Sequence, residues 1–204
     1  MPHKFLINVD AQVDFIMRNG LLAIKGAERI IAPMIYFLTM LDPKEYAGAL
    51  FTYDTHQREI YEKSEEAKQF NLHCEKGTPG WELVAGPNLV SPHIPTFTLE
   101  KGVFDMWKEN DLRVVSYETP AHPVDVPRLL INRHRDIFFQ ELKERGIDTI
   151  TVIGVAADFC VKDAIAGLLE RGFKVEIIRD LTTGIVRDID QTVAEEFSGR
   201  VQIL

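Results

Sequence analysis

Short, continuous runs of hydrophobic residues recur along the chain, and most of them are separated by segments with hydrophobic residues at helical spacing. The runs predict strands at residues 5–10, 47–54, 96–101, 149–155, 174–179 and 201–204, and the spaced segments predict helices at residues 25–41, 135–145, 159–170 and 192–197. Pro33 falls inside the first helix and predicts a kink or a first turn there. Because apolar strands that alternate with helices are typical of a parallel sheet covered on both faces, we predict a three-layer α/β/α fold.

Residues 109–133 do not follow this alternation. The stretch contains Pro120, Pro123 and Pro127 and shows little periodicity. A long irregular loop in a compact domain is usually a lid, a binding loop or a flexible insert. No repeat, low-complexity segment or change of composition divides the chain, so we predict one domain over residues 1–204 that carries this insert.

The composition excludes several classes of protein. The chain has 204 residues, of which 46% are hydrophobic and 26% are charged, so it is not a disordered chain. A net charge of −8 and the lack of long Lys/Arg runs disfavour nucleic acid and anionic membranes as partners. Two cysteines make no disulfide scaffold, no secretory signal is evident, and the apolar runs fall short of the ~20 residues of a membrane span. We therefore predict a cytoplasmic protein.

Four predicted strands are followed by residues that carry chemistry. Asp10, Asp54 and Lys101 end three of them, and the segment that leads to Cys160 follows the strongest strand. Each alone has an ordinary explanation, since an Asp at a strand end is often a cap or turn residue and a single Lys is usually surface charge. Because open α/β sheets bind ligands beyond the carboxyl ends of their strands, the four together predict an active site at that edge.

Cys160 stands at the start of a predicted helix. A thiol at this position is close to the free N–H groups and the positive end of the helix dipole, which stabilise a thiolate. The same N–H groups are suited to an oxyanion hole. The alternative is that Cys160 is a small buried hydrophobic residue, which is the common role of a free cysteine. Cys74 lacks this placement, so the structural role is favoured for it.

A second group of residues is typical of a metal site. Asp54 and His56 are two apart and share one side of an extended segment, His73 is a candidate third ligand, and Glu66 is a candidate fourth. Imidazole and carboxylate together suit zinc, iron or manganese. The alternative is a hydrogen-bonded network of loop residues.

Trp81 follows a turn that contains two glycines and is expected to be half exposed. A flat aromatic side chain next to a metal site suits a planar substrate ring. Phe15 and Phe104 are candidates for further walls of the same pocket, although a place in the core is the more common role of Phe.

Taken together, the sequence resembles the isochorismatase-like cysteine hydrolase superfamily and, within it, the nicotinamidases. The segments that carry the resemblance are residues 9–15, 54–56, 73–80, 100–102 and 154–161, which occur in the order found in that family. The resemblance implies a doubly wound fold around a six-stranded parallel sheet. It also implies a homo-oligomer, either a dimer or a tetramer.

The resemblance assigns roles to the candidate residues. Cys160 is implied as the nucleophile, Asp10 as the acid and base that takes its proton, and Lys101 as the group that holds the charge of Asp10. A cis peptide bond before Ala156 is implied to turn the N–H groups of Ala156 and Cys160 toward the oxyanion. The resemblance also implies four metal ligands, which are Asp54, His56, Glu66 and His73. The ion implied is zinc, with Fe²⁺ and Mn²⁺ as alternatives. Phe15 and Trp81 are implied to stack on the substrate ring.

The function that follows is a metal-assisted hydrolysis of nicotinamide to nicotinate and ammonia through a thioester. One alternative is a metal-independent hydrolase of another carbamoyl or ureido compound, of the ureidoacrylate or carbamoylsarcosine type. A second alternative is a non-catalytic binding protein on the same fold. The presence of Asp54, His56 and His73 favours the first function over the ureido type, and the complete set of Asp10, Lys101 and Cys160 argues against a binding protein.

Overall fold

An eight-stranded sheet forms the centre of the computed structural model, which describes residues 3–117 and 132–204. The order of its strands is β5-β4-β3-β2-β1-β6-β7-β8. The strands are β1 (Lys4–Val9), β2 (Tyr46–Asp54), β3 (Thr96–Lys101), β4 (Arg113–Ser116), β5 (Asn132–His134), β6 (Thr149–Gly154), β7 (Lys174–Thr182) and β8 (Val201–Ile203).

Six of these strands, from β3 across to β8, form the predicted parallel sheet. The expected count of six is nevertheless too low, because β4 and β5 extend the sheet through two antiparallel pairings. Strand β4 lies within the stretch 109–133 that was expected to be irregular, and β5 begins at the end of that stretch. Strands of three or four residues are too short to show a period in the sequence. Residues 118–131 lie outside the described residues, so a single domain with an insert stays a prediction.

The helices cover the sheet as the periodicity predicts, with two differences at their boundaries. They are α1 (Val13–Ile16), α2 (Ile31–Thr39), α3 (Arg58–Tyr61), α4 (Arg135–Glu144), α5 (Cys160–Glu170) and α6 (Ile189–Glu196), with 3₁₀ turns at Ala27–Ile30, Glu66–Lys68, Pro79–Trp81 and Pro87–Leu89. The helix predicted at 25–41 is a 3₁₀ turn followed by α2, and Pro33 lies in the first turn of α2, where its missing N–H is not needed. Helix α6 begins before residue 192 because Asp188 and Gln191 form a capping box.

The alternation of side chains along the strands divides the core into two layers. On β1, Phe5 and Ile7 join the cluster that includes α4, α5 and α6, whereas Leu6 joins the cluster that includes α2. The three-layer α/β/α architecture is therefore confirmed. In the part of the chain that the structure describes, no helix is long and apolar enough to cross a membrane.

Strands β1 and β6 are neighbours at the centre of the sheet, and the chain proceeds outward from them in opposite directions. This is the switch point at which doubly wound sheets bind ligands. Gly154 ends β6 with a φ of +115°, and a Cβ added there would lie 2.1 Å from the carbonyl oxygen of Val9. Glycine is therefore required where β6 passes β1 at the site.

We predict that Gly154→Ala lowers the free energy of unfolding by about 3 kcal/mol, because the substitution adds both left-handed strain and a contact with the backbone. Gly146→Ala is the matched control. Its φ is also positive, at +81°, but an added Cβ meets nothing within 4 Å, so a loss of about 1 kcal/mol is expected. Urea unfolding measures both values, and equal losses would show that the contact with Val9 does not matter.

Candidate active site

The three predicted catalytic residues come together at the carboxyl ends of the central strands. Asp10 follows β1, Lys101 is the last residue of β3, and Cys160 is the first residue of α5. The ammonium Nζ of Lys101 is 2.7 Å from Oδ2 of Asp10 and 3.4 Å from Sγ of Cys160. All three side chains are buried, with exposed fractions of 0%, 2% and 4% for Asp10, Lys101 and Cys160. The group is therefore a compact, water-excluded cluster.

The Lys101 ammonium stays charged in this cluster. Burial alone would lower its pKa, but the charges of the Asp10 and Asp54 carboxylates outweigh burial and raise the pKa well above its usual value. The distance from Nζ to Oδ1 of Asp54 is 3.5 Å. Lys101 thus contacts two carboxylates from two other strand ends.

The resting form of Cys160 differs from the sequence expectation of a stabilised thiolate. Burial raises the pKa of the Cys160 thiol well above its usual value, and the opposing effect of Lys101 does not offset it. The charge of Asp10 and a hydrogen bond to its side chain raise the pKa further. The helix start is where the sequence predicts it, but loss of hydration dominates. Cys160 is therefore a neutral thiol that needs a base, and Asp10 is in place to act as one.

The turn between β6 and α5 carries the two predicted oxyanion donors. The peptide bond between Val155 and Ala156 is cis. The next N–H along the chain, that of Ala157, donates to the carbonyl of Thr183, whereas no protein acceptor in the described chain receives the N–H of Ala156 or Cys160. Both N–H groups are therefore available to a substrate oxygen beside the thiol.

The four predicted metal ligands also converge. One ligand atom from each of Asp54, His56, Glu66 and His73 lies within 4.8 Å of the other three, and all four residues are buried. Oδ2 of Asp54 is 3.0 Å from Nε2 of His56 and 3.1 Å from Nε2 of His73. Oε1 of Glu66 is 3.3 Å from Nε2 of His73 and 3.7 Å from Nε2 of His56.

The details of this group fit a divalent cation. Oε1 of Glu66 is buried without a hydrogen-bond partner, although a buried carboxylate oxygen normally has one. The Nδ1 of His73 is 2.7 Å from the carbonyl oxygen of Asn71, so Nδ1 carries the proton and Nε2 is left to bind a metal. Burial lowers the pKa of His73, but the Asp54 and Glu66 carboxylates overcome this effect and raise the pKa to about 10. The group strongly attracts positive charge.

Asp54 belongs to both halves of the site. Its Oδ2 faces the two histidines, and its Oδ1 faces Lys101. Burial raises the pKa of Asp54, but the charge of Lys101 and the two neighbouring histidines hold it well below its usual value. Asp54 is therefore ionised, and it connects the group of four predicted metal ligands (the metal cluster) with the group of Asp10, Lys101 and Cys160 (the catalytic cluster).

Two of the three predicted aromatic residues lie near these clusters. The ring of Phe15 is 5.2 Å from that of His73. Phe104 packs against Phe70 and Phe159 at ring distances of 5.9 and 5.4 Å, and all three rings are partly exposed. Because Phe159 immediately precedes Cys160, these three phenylalanines form a wall at the start of α5. The sequence analysis did not single out Phe70 or Phe159. The sequence indicates a role for them only through their positions shortly before His73 and Cys160.

Trp81 is partly exposed, as the sequence predicts. Its indole N–H donates to Oγ1 of Thr55, and its ring packs on Tyr53 at 4.9 Å. Tyr53 and Thr55 alternate with Asp54 and His56 along an extended segment, so they point away from the metal ligands. The ring also contacts the side chain of Lys76, which lines one cavity together with Thr55, His56 and Lys101, so stacking of Trp81 on a substrate ring stays a prediction.

Two further polar residues that the sequence analysis missed hold the site in place. Gln12 accepts a hydrogen bond from the N–H of Asp54 and donates to its carbonyl, which clamps the backbone of that residue. Oδ2 of Asp14 accepts the N–H of Cys74 and fixes the loop next to His73. The sequence feature that could have identified Gln12 and Asp14 is their polar character at alternate positions after Asp10. Cys74 itself is buried, and burial raises its pKa, in agreement with the structural role favoured for it.

Comparisons with known proteins agree with this fold. Residues 134–202 match the family model described as the isochorismatase domain. The nicotinamidase/pyrazinamidase of Mycobacterium tuberculosis is 25% identical over 200 residues, which cover 95% of this chain and 93% of that protein. The nicotinamidase of Saccharomyces cerevisiae is 25% identical over 211 residues, which cover 91% of this chain and 90% of that protein.

A solved structure gives the same result for the fold. The crystal structure of the pyrazinamidase of Pyrococcus horikoshii in complex with zinc matches with a TM-score of 0.72 at 22% sequence identity. The match covers 100% of this chain and 99% of that chain. At this identity, the likeness establishes the architecture.

The predicted resemblance to the isochorismatase-like superfamily is confirmed over residues 134–202, and the whole chain shares the fold of the pyrazinamidase structure. The resemblance to the nicotinamidases is also confirmed, since both curated relatives match the chain over more than nine-tenths of its length. These similarities agree with the predicted enzyme class, an amidohydrolase.

We predict that Glu66→Gln weakens the binding of a divalent ion at least about tenfold, because it removes a charged ligand from the cluster. Competition with a coloured chelator measures the affinity. Glu65→Gln is the matched control, because the carboxylate of Glu65 is next to Glu66 in the sequence but is exposed and pairs with Lys68. Equal affinity in Glu66→Gln and Glu65→Gln would remove Glu66 from the ligand set.

Proposed function

We propose that this chain is a metal-dependent nicotinamidase that converts nicotinamide and water into nicotinate and ammonia. The observation that carries the proposal is the contact between Lys101 and Asp54, which joins a cysteine-based catalytic cluster to a cluster of four metal ligands. The nicotinamidases similar to this chain support the choice of substrate.

The first half of the reaction forms a thioester. The Cys160 thiol gives its proton to Asp10 while its sulfur attacks the amide carbon, and the Lys101 ammonium stabilises the negative charge at both groups. The oxygen of the tetrahedral adduct accepts hydrogen bonds from the N–H groups of Ala156 and Cys160. Asp10 then gives the proton to the departing nitrogen, the C–N bond breaks, and ammonia leaves.

The second half of the reaction uses the same residues in the reverse order of proton transfer. Asp10 takes a proton from a water molecule that attacks the thioester carbon, and the oxyanion forms again at the N–H groups of Ala156 and Cys160. Collapse of this adduct breaks the C–S bond. Asp10 returns the proton to the sulfur of Cys160, and nicotinate is released.

The metal cluster serves to orient the substrate. Asp54, His56, Glu66 and His73 are the residues that would hold the ion, and this donor set suits Zn²⁺, with Fe²⁺ and Mn²⁺ as alternatives. When bound, the ion supplies an electrophilic contact for the pyridine nitrogen and thereby directs the amide toward Cys160. Phe15 and the wall of Phe70, Phe104 and Phe159 confine the ring.

Cys160→Ala is predicted to lower the rate of ammonia release from nicotinamide by about four orders of magnitude, because the nucleophile is lost. Circular dichroism checks that the variant is folded. Cys74→Ala removes the other thiol and is expected to keep its turnover number within about threefold, since Cys74 lies outside the catalytic cluster. Turnover by the Cys160→Ala variant would overturn the cysteine mechanism.

The substrate is tested by an ammonia-release screen of the Zn²⁺-loaded protein against nicotinamide, pyrazinamide, ureidoacrylate and carbamoylsarcosine. The proposal expects turnover of nicotinamide and pyrazinamide that is lost after chelation and restored by Zn²⁺. Turnover of ureidoacrylate or carbamoylsarcosine that persists after chelation would favour the metal-independent hydrolase instead. The absence of turnover on every compound would favour a binding protein.

A further inference from the structure

Thr52 contributes a fully buried hydroxyl group beside the Asp10 carboxylate. It lies on β2 two residues before Asp54, so the two side chains share one face of the strand. Its hydroxyl donates to Oδ1 of Asp10 at 2.5 Å and accepts the backbone N–H of Asp10 at 3.2 Å. A single hydroxyl therefore binds both the main chain and the side chain of Asp10.

The two carboxylate oxygens of Asp10 have separate partners as a result. Oδ1 is bonded to Thr52, and Oδ2 is 2.7 Å from the ammonium group of Lys101, which also contacts the sulfur of Cys160. Asp10 has a φ of +46°, so its side chain leaves the backbone in a direction that regular strand geometry does not give. Among the described residues, Thr52 is the one whose side chain fixes the Asp10 backbone and carboxylate at the same time.

We propose that Thr52 is a positioning residue for the proposed hydrolysis, holding the Asp10 carboxylate with Oδ2 toward Lys101 and the Cys160 thiol. The inference rests on the function proposed above, in which Asp10 takes and returns every proton. Without the hydroxyl, Oδ1 and the N–H of Asp10 both lose their partner, and Lys101 alone no longer fixes the orientation of the carboxylate. A small displacement of a catalytic group can lower a rate by up to about 10²-fold.

The test compares three variants of the full-length protein loaded with Zn²⁺. Thr52→Val keeps the shape of the side chain and removes the hydroxyl, whereas Thr52→Ser keeps the hydroxyl. Thr151→Val is the matched control, because Thr151 is also a fully buried strand threonine whose hydroxyl donates to a carboxylate, that of Glu176, at 2.6 Å. Thr151 lies near the start of β6, away from the strand ends that carry the site.

The first readout is the kinetics of ammonia release. In Thr52→Val we expect kcat to fall at least about tenfold with KM within about threefold of the original, because the substrate site is untouched while proton transfer is misaligned. Thr52→Ser is expected to restore kcat to within about threefold, and Thr151→Val to leave kcat unchanged. Metal content and thermal unfolding of each variant show whether a loss of fold or metal accounts for the result.

The second readout is the rate at which iodoacetamide alkylates Cys160, followed by mass spectrometry with Cys160→Ala as the blank. This reaction also requires the thiol to lose its proton, so we expect it to be at least about fivefold slower in Thr52→Val than in Thr151→Val. Equal alkylation rates in Thr52→Val and Thr151→Val would overturn the positioning role. So would a loss of kcat that is the same in both variants once their thermal stabilities are taken into account. If the unmodified protein hydrolysed none of the amides, the proposed function would fail, and the alkylation rates alone would decide the role of Thr52.

Discussion

The ion pair between Lys101 and Asp10, together with the second carboxylate of Asp54, determines how the central strands must meet. A buried ammonium group costs several kcal/mol unless it is paired, and loss of one partner costs about 3–5 kcal/mol. The three residues stand at the ends of β1, β2 and β3, so their pairing is satisfied only when these strands end level with one another. The same charges that serve the proposed catalysis therefore also constrain the register of the sheet at the site.

The balance of charge around Lys101 is compatible with the proposed combination of a divalent metal ion and a cysteine nucleophile. Asp10, Asp54 and Glu66 supply three carboxylates, while Lys101 supplies one ammonium group, so two negative charges are left over when the histidines are neutral. A divalent cation cancels this excess. The same excess is visible in His73, whose pKa the carboxylates raise to about 10 against the effect of burial. Because Cys160 stays a neutral thiol, it adds no further charge until the reaction begins.

Much of this arrangement was predictable because it depends on local sequence. Six apolar runs gave the parallel strands, and the charged residue at the end of each of three runs gave Asp10, Asp54 and Lys101. The features that were missed depend on contacts between distant segments. The partners of β4 and β5, the packing of Trp81 on Tyr53, and the loss of hydration that raises the pKa of Cys160 all arise only when the chain is folded. These contacts join residues that are far apart in the chain, so no short stretch of sequence indicates them.

Strand β2 connects the two halves of the site through the two-residue period of an extended chain. Thr52, Asp54 and His56 follow one another at alternate positions. The side chain of Thr52 contacts Asp10, and that of Asp54 contacts both Lys101 and the two histidines. The side chain of His56 belongs to the group of predicted metal ligands. Gln12 binds both backbone groups of Asp54 and prevents this row from shifting. A slip of one residue would turn every one of these side chains to the opposite face. The placement of Asp54 relative to Asp10 and Lys101 is therefore set by the geometry of neighbouring strands, which suits the proposed substrate, held at one end and attacked at the other.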